Sequence, residues 1–213
     1  MAEWGNITTL WQNGAKGNGN YGRIDELSFG YTNSVGNKLA QVSDTQGTSN
    51  IDVSDFRDRS NVTNEYDYWP DGSLKQYLNK EITQIDYDYL GLTSQITLSA
   101  GRNIAYLRDG GGQKIRKQNS LGQVWDYVGE CIYLDGQLYE TTFGEGRLKA
   151  NGGGFGYEFQ YQDHLGSLRL AFRDSLAAAV NGVYAPPVIV QTNAYLPFGG
   201  RAVGLDNEPV GQD

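Results

Sequence analysis

"ITQIDYDYLGLTSQITL", residues 82 to 98, decides the fold class. Ile85, Tyr87 and Tyr89 alternate with Asp86 and Asp88, so a strand would carry apolar rings on one face and carboxylates on the other. Leu90-Gly91 then breaks the run, and "LTSQITL" (92–98) resumes it with β-branched residues. Read outward, the same strand–turn–strand unit recurs. "NEYDYW" (64–69) passes through "PDG" into "SLKQYL" (73–78), and "RNIAYLRD" (102–109) passes through "GGG" into "QKIRKQ" (113–118). "IDELSFGY" (24–31) with "KLAQVSD" (38–44), and the series "QVWDYV", "CIYLDG" and "QLYETTF" (123–143), extend the pattern.

The turns have a mechanism. Pro70 presets φ at a corner, and the glycine of Asp71-Gly72 supplies a positive φ; Asp135-Gly136 is a two-residue hairpin signal. Gly72, Gly91 and Gly112 recur at intervals of about twenty residues, which signals a repeat architecture with one hairpin per unit. A lone hairpin is marginal in water, so neighbouring hairpins must pair into a continuing sheet. Tyrosines on successive hairpins are then expected to stack into an aromatic stripe. Three segments break the rhythm: 45–61 reads as a loop insertion or degenerate repeat, 145–157 as a glycine-rich connection, and 175–187 as a second insertion.

Composition narrows the function classes. With 213 residues, 29 of them glycine, 15 tyrosine and 5 proline, the chain is long enough for a real core and rich in turn and strand formers. A formal net charge of −8 argues against nucleic acid and against an anionic membrane surface. No segment approaches the roughly 18 apolar residues of a membrane span. One cysteine, Cys131, cannot form an intramolecular disulfide. The first residues, "MAEWGNITTLWQNG", have neither the basic nor the apolar region of a signal peptide. The chain is therefore expected to be secreted or cell-surface as part of a larger exported protein, or cytoplasmic if it is a stand-alone frame.

Two groups of residues carry a family likeness. "EYDYWPDGSLKQY" (65–77) and "IDYDYLGLTSQITL" (85–98) have the Tyr-Asp, glycine-turn form of a YD repeat. "YVGECIYLDGQLYETTFGEGRL" (127–148), "YEFQYQDHLGSLRLAFRDS" (157–175) and "NAYLPFGG" (193–200) follow in order, and this resembles the Rhs repeat-associated core, in the variant common in Bacteroidota. The resemblance implies an all-β fold of repeated antiparallel hairpins in a curved, shell-like sheet, with YD-type hairpins over 1–150 and the core segment over 151–213. It implies structural roles for Asp163, His164, Leu165, Gly166, Arg169, Tyr195, Pro197, Phe198 and Gly199. It also implies partners: further Rhs repeats or a cargo polypeptide such as an enclosed toxin. After Gly200 the chain reads "RAVGLDNEPVGQD", without the Asp-Pro-x-Gly-Leu motif at which such cores cleave themselves, so self-cleavage and toxicity are not implied for this segment. About seven or eight hairpins make an open strip, and its unpaired edges are expected to support homo-oligomers.

The residues admit chemistry as well as structure. Asp163 and His164 would need Ser167 or Cys131 within hydrogen-bond reach to build a nucleophilic site. The structural reading has Asp163 capping a turn, Gly166 supplying its unusual angle, and His164 and Arg169 pairing with carboxylates of neighbouring strands. Asp52, Asp55 and Asp58 are closely spaced acids but lack the spacing, glycine and closing glutamate of a calcium loop. The glycine runs 110–112 and 152–154 do not open a helix, as a phosphate cradle requires. No metal set and no cofactor is implied. The leading reading is a structural shell segment without catalysis. A glycan- or surface-binding module, resting on "GRLKANGGG" and the aromatic strands, and an autoproteolytic core remain as alternatives.

Overall fold

The computed structural model describes residues 5–17, 20–32, 36–46, 55–174 and 186–195. The chain divides into two compact units, Met1–Gly122 and Gln123–Asp213. Among the described residues neither unit contains an α-helix, and the fold is the expected all-β one of antiparallel hairpins. The first unit opens with a three-stranded sheet, β1 (Thr9–Gly17), β2 (Asn20–Tyr31) and β3 (Leu39–Asp44), paired in that order. A run of six strands follows: β4 (Tyr66–Tyr68), β5 (Leu74–Tyr77), β6 (Ile82–Tyr87), β7 (Thr93–Leu98), β8 (Asn103–Arg108) and β9 (Lys114–Asn119). Among its described residues the second unit holds seven: β10 (Val124–Val128), β11 (Cys131–Leu134), β12 (Gln137–Phe143), β13 (Gly146–Ala150), β14 (Phe155–Gln162), β15 (Leu168–Arg173) and β16 (Val188–Thr192). Within each run every strand pairs antiparallel with its successor in sequence. Such local pairing keeps the loops to be closed short.

The core is small and sits where strands converge. Ile24, Leu27, Ala40 and Val42 are buried on β2 and β3, and Ile85 on β6; in the second unit Ala171 on β15 is fully buried. Most other strand residues are half-exposed. In the first unit Tyr66 and Tyr77 face each other in register and stack with centroids 4.6 Å apart.

Four expectations need correction. Segment 145–157 is not merely a connection: it contains β13 and the start of β14. Gly146 is a close-approach residue rather than a strand breaker. A Cβ there would lie 2.1 Å from the Glu158 carbonyl oxygen and 2.9 Å from Phe159 Cα. The aromatic stripe exists in the second unit, but phenylalanine builds most of it, with Tyr157 beside Phe143 at 5.9 Å and Phe159 at 6.3 Å. Phe143, Gly146, Phe159 and Phe172 are successive register partners across four strands. The rings of Phe143 and Phe159 meet edge-on at 6.1 Å over the glycine, and Phe172 stacks on Phe159 at 5.6 Å. Tyr89 and Tyr161 are instead exposed. Third, β6 ends at Tyr87, so Asp88 and Tyr89 belong to the turn and not to the alternating strand. Finally, β1 was not anticipated: it pairs with β2 through two register shifts, which the polar, glycine-containing "TLWQNGAKG" does not announce.

Candidate functional site

Asp163 and His164 lie in the turn joining β14 and β15. The Asp163 amide donates to the Ser167 carbonyl (3.0 Å), and the Gly166 amide donates back to the Asp163 carbonyl (2.9 Å). Asp163 Oδ1 accepts the amides of Leu165 (2.9 Å) and Ser167 (3.0 Å), and Gly166 takes φ +80°. This is a three-residue hairpin loop ending in a left-handed glycine.

The same frame recurs in the first unit. Asp88 bonds the Leu92 carbonyl, receives the Gly91 amide and caps Leu90 and Leu92 at 2.9 and 3.0 Å. Asp109 does the same with Gln113, Gly112 and Gly111, its cap distances both 2.9 Å. Asn119 caps Leu121 and receives the Gly122 amide. The β4–β5 turn keeps the frame with Trp69 at its start, the capping carboxylate moving to Asp71, which accepts Ser73 N at 2.9 Å. Glycine closes each turn at φ between +73° and +93°. His164 thus occupies the position that Tyr89, Gly110, Ser120 and Pro70 occupy elsewhere. Side chains this different share the place because none of them makes the turn.

The anion of Asp163 is used structurally. Its carboxyl is held below the ordinary carboxylate range first by the Ser167 amide, and further by Arg169 and the Leu165 amide. Arg169 donates to Asp163 Oδ2 at 2.8 Å through Nε and 2.7 Å through Nη2. Its guanidinium lies 4.9 Å from the centroid of Tyr195. Tyr195 and Asn193 both donate to the Leu168 carbonyl, at 3.1 and 3.0 Å. The two separated sequence elements are therefore joined through Arg169. Arg169 pairs within its own hairpin, not with a neighbouring strand as expected, because the capping carboxylate already faces it. His164 and Leu165 are exposed, and His164 makes no hydrogen bond or ion pair among the described residues. Pro197, Phe198 and Gly199 lie outside the described residues.

Cys131 stands apart from this turn. In register it pairs with Thr141, which pairs with Leu148, which pairs with Tyr157. Three strand spacings put the thiol at least about 14 Å from β14, and Tyr157 is itself most of a strand away from His164. The sulfur contacts Thr141 Oγ1 at 3.4 Å instead. No Cys/His pair forms. Gly110–Gly112 lie in the Asp109 turn, and Gly152–Gly154 lie in the β13–β14 loop, where the Asn151 amide donates to the Gly154 carbonyl. Neither precedes a helix.

Of the three acids in 45–61, Asp52 lies outside the described residues. Asp55 is buried, and Asp58 Oδ2 accepts the Asp44 amide at 3.1 Å. Among the described residues no group of three or more His, Cys, Asp or Glu side chains is disposed to hold a metal ion. These acids belong to a clasp that sequence reading missed. Asp25 Oδ1 accepts the Phe56 amide (2.8 Å); Asn79 Oδ1 accepts Arg59 N and Ser60 N (2.9 and 2.8 Å). Glu65, fully buried, accepts Val42 N and Asn79 Nδ2 at 3.0 and 2.9 Å. Burial, reinforced by the charge of Asp58, pushes the Glu65 carboxyl above its ordinary range against these two hydrogen bonds. Nothing in "NEYDY" or "YLNK" signals the pairing, since Glu65 and Asn79 meet only when β4 and β5 fold together.

No family model matches the chain, and no curated protein matches it. Among solved structures it is similar to a crystal structure of TcdB2-TccC3-TEV, at 17% identity and TM-score 0.43 over 86% of this chain and 10% of that one. The pore of the Photorhabdus luminescens Tc holotoxin matches at 15% identity and TM-score 0.44 over the same shares. TcdB2-TccC3 without its hypervariable C-terminal region matches at 15% and 0.40 over 95% of this chain and 11% of that one. The chain thus spans about a tenth of the length of the chains it matches.

Proposed function

We propose that this chain is a structural segment of an Rhs/YD-repeat protein of the polymorphic-toxin type. In this reading it extends a β-strip that encloses or presents another polypeptide, within an exported protein, and performs no catalysis of its own. The observation that supports the reading is the repeated hairpin turn: Asp163-His164-Leu165-Gly166 is one member of a series that includes the Asp88 and Asp109 turns, so its residues serve the strip. Lysine cross-linking of the natural gene product, with its flanking sequence, is the test. Links from Lys75, Lys114, Lys117 or Lys149 to polypeptide outside residues 1–213 are expected. A product in which these lysines join only one another would sink the reading. The purified chain should also keep its intact mass on prolonged incubation, and spontaneous scission would restore the autoproteolytic alternative.

A further inference from the structure

We propose that Asn151 is a site of spontaneous deamidation, converted by water to aspartate and isoaspartate with release of ammonia. The proposal goes beyond the shell reading and does not rest on it. The sequence holds four Asn-Gly pairs, beginning at Asn13, Asn18, Asn151 and Asn181. Asparagine is a chemically labile residue, and a following glycine makes it more so, because no side chain shields the glycine amide. Asn18 and Asn181 lie outside the described residues, so the structure distinguishes Asn151 from Asn13.

The two sites differ in what holds them. Asn13 and Gly14 belong to β1, where they pair in register with Arg23 and Gly22 of β2, and Gly14 is buried. Attack of the glycine nitrogen on the asparagine side chain closes a five-membered ring. That ring closes only when the asparagine ψ swings far from the value of about +135° that antiparallel pairing imposes. Asn13 is therefore protected by its strand.

Asn151 opens the loop between β13 and β14, and residues 151–154 are all exposed. The loop is closed at its base by the Ala150–Phe155 pair and by the Asn151 amide, which donates to the Gly154 carbonyl at 3.0 Å. Inside the loop nothing holds the reacting groups. Among the described residues neither the Gly152 amide nor the Asn151 carboxamide makes a hydrogen bond. Three glycines in a row permit the rotation that ring closure needs; Gly152 takes φ +61° and Gly153 φ +142°. The carboxamide folds back across the loop, its Nδ2 2.9 Å from the Cβ position of Gly156 and its Oδ1 3.8 Å from that of Gly154.

The reaction needs only water. The Gly152 nitrogen, losing its proton to solvent base, attacks Asn151 Cγ. The N–Cγ bond forms, the Cγ–Nδ2 bond breaks, and Nδ2 leaves as ammonia after taking a proton from water. Water then opens the cyclic imide at either carbonyl. One opening leaves aspartate in an unchanged main chain; the other routes the main chain through the side chain as isoaspartate, one methylene longer. Either product adds one negative charge to the formal −8, beside Gly156, the register partner of Lys149. Isoaspartate also lengthens the loop that sets the Ala150–Phe155 pair.

The experiment follows the folded full chain at mildly alkaline pH by mass spectrometry of its tryptic peptides. Peptide 150–169 should gain the mass of amide-to-acid conversion at Asn151 at least fivefold faster than peptide 1–16 gains it at Asn13. Fragmentation should show both aspartate and isoaspartate at position 151. In urea the two rates should converge, because the difference lies in the fold. Gly152→Ala should slow conversion at position 151 at least fivefold, in the folded chain and in urea alike, where any change of fold is immaterial. Conversion no faster at Asn151 than at Asn13 in the folded chain, a difference that persists in urea, aspartate without isoaspartate, or an unchanged rate in Gly152→Ala would each overturn the proposal.

Discussion

His164 and Gly166 are two residues apart in one turn, yet they carry very different weight. His164 sits in an exposed position that the sister turns fill with tyrosine, glycine, serine or proline. His164→Gln should therefore change stability by no more than about 0.5 kcal/mol. Gly166 holds φ +80°, where an L side chain is strained. Gly166→Val should cost on the order of 1–3 kcal/mol. Thermal melting of both variants checks this, and a His164→Gln variant that melted normally but lost a measurable activity would restore a catalytic role. Ala100 is the converse case. It takes φ +59° without being glycine, so Ala100→Gly should raise the melting temperature. Glu65 carries a pH signature. Its folded pKa is raised, so its contribution to stability is full below the unfolded value of about 4.3 and is lost as pH rises through the folded value. Glu65→Gln keeps a carbonyl for Val42 N and Asn79 Nδ2 but removes the buried charge. It should melt above the parent at pH 8 and level with it at pH 4; equal melting differences at both pH values would show that Glu65 does not titrate differently on folding.

At the scale of the element, two devices hold the hairpins. One is the capped turn: a side chain that accepts two amides ends one strand and starts the next at a set register. Asp88→Ala and Asp109→Ala should each lower the melting temperature, because each strips the same pair of caps, and Asp88→Ala should lower it more, because it also removes the ion pair with Arg108 at 3.8 Å. The other is the Phe143–Phe159–Phe172 row with glycine in its midst. Gly146→Ala would drive a methyl group into the Glu158 carbonyl and separate β13 from β14, and should cost about 2 kcal/mol or more, in the range of overpacked cores. Gly144→Ala, in the adjacent turn with nothing within 4 Å of its Cβ position, is the control and should be nearly neutral. Urea unfolding of the pair separates the crowding of one glycine from the loss of glycine in general. Next to this row Arg147 bridges Glu140 at 3.1 Å and Glu158 at 2.6 Å, a pair of cross-strand bonds that pins β12, β13 and β14 in register.

For the whole molecule, exposed edges and net charge pull in opposite directions. Among the described residues β1 and β16 are paired on one side only. β16 presents exposed Val188 and Ile189, and β1 presents exposed Trp11. Such edges recruit further strands, while a net charge of −8 keeps copies apart. The chain should therefore self-associate weakly at micromolar concentration, and more strongly as salt screens the repulsion. Light scattering at low and moderate salt reads this directly. A strict monomer under both conditions would mean that the edges are covered within the chain.

Alternation, turn residues and spacing determined the all-β class, the order of the hairpins and the place of most turns, because these depend on neighbours one to four residues apart. Asp163 as a turn cap and Gly166 as its left-handed residue were legible for the same reason. What lay beyond the sequence depends on partners brought across strands. Gly146 reads as a breaker until Phe143, Phe159 and the Glu158 carbonyl surround it. Asp88 reads as a strand residue until its carboxylate captures two amides and ends β6. Glu65, Asn79 and Asp25 carry no local signal of burial; the bonds of Glu65 to Val42 and Asn79, and of Asn79 and Asp25 to the 56–60 segment, form only in the folded chain. The bond from Val42 N to Glu65 exists only because the β2–β3 hairpin is set against the chain leading into β4, and no local pattern encodes a contact between segments that far apart in the chain.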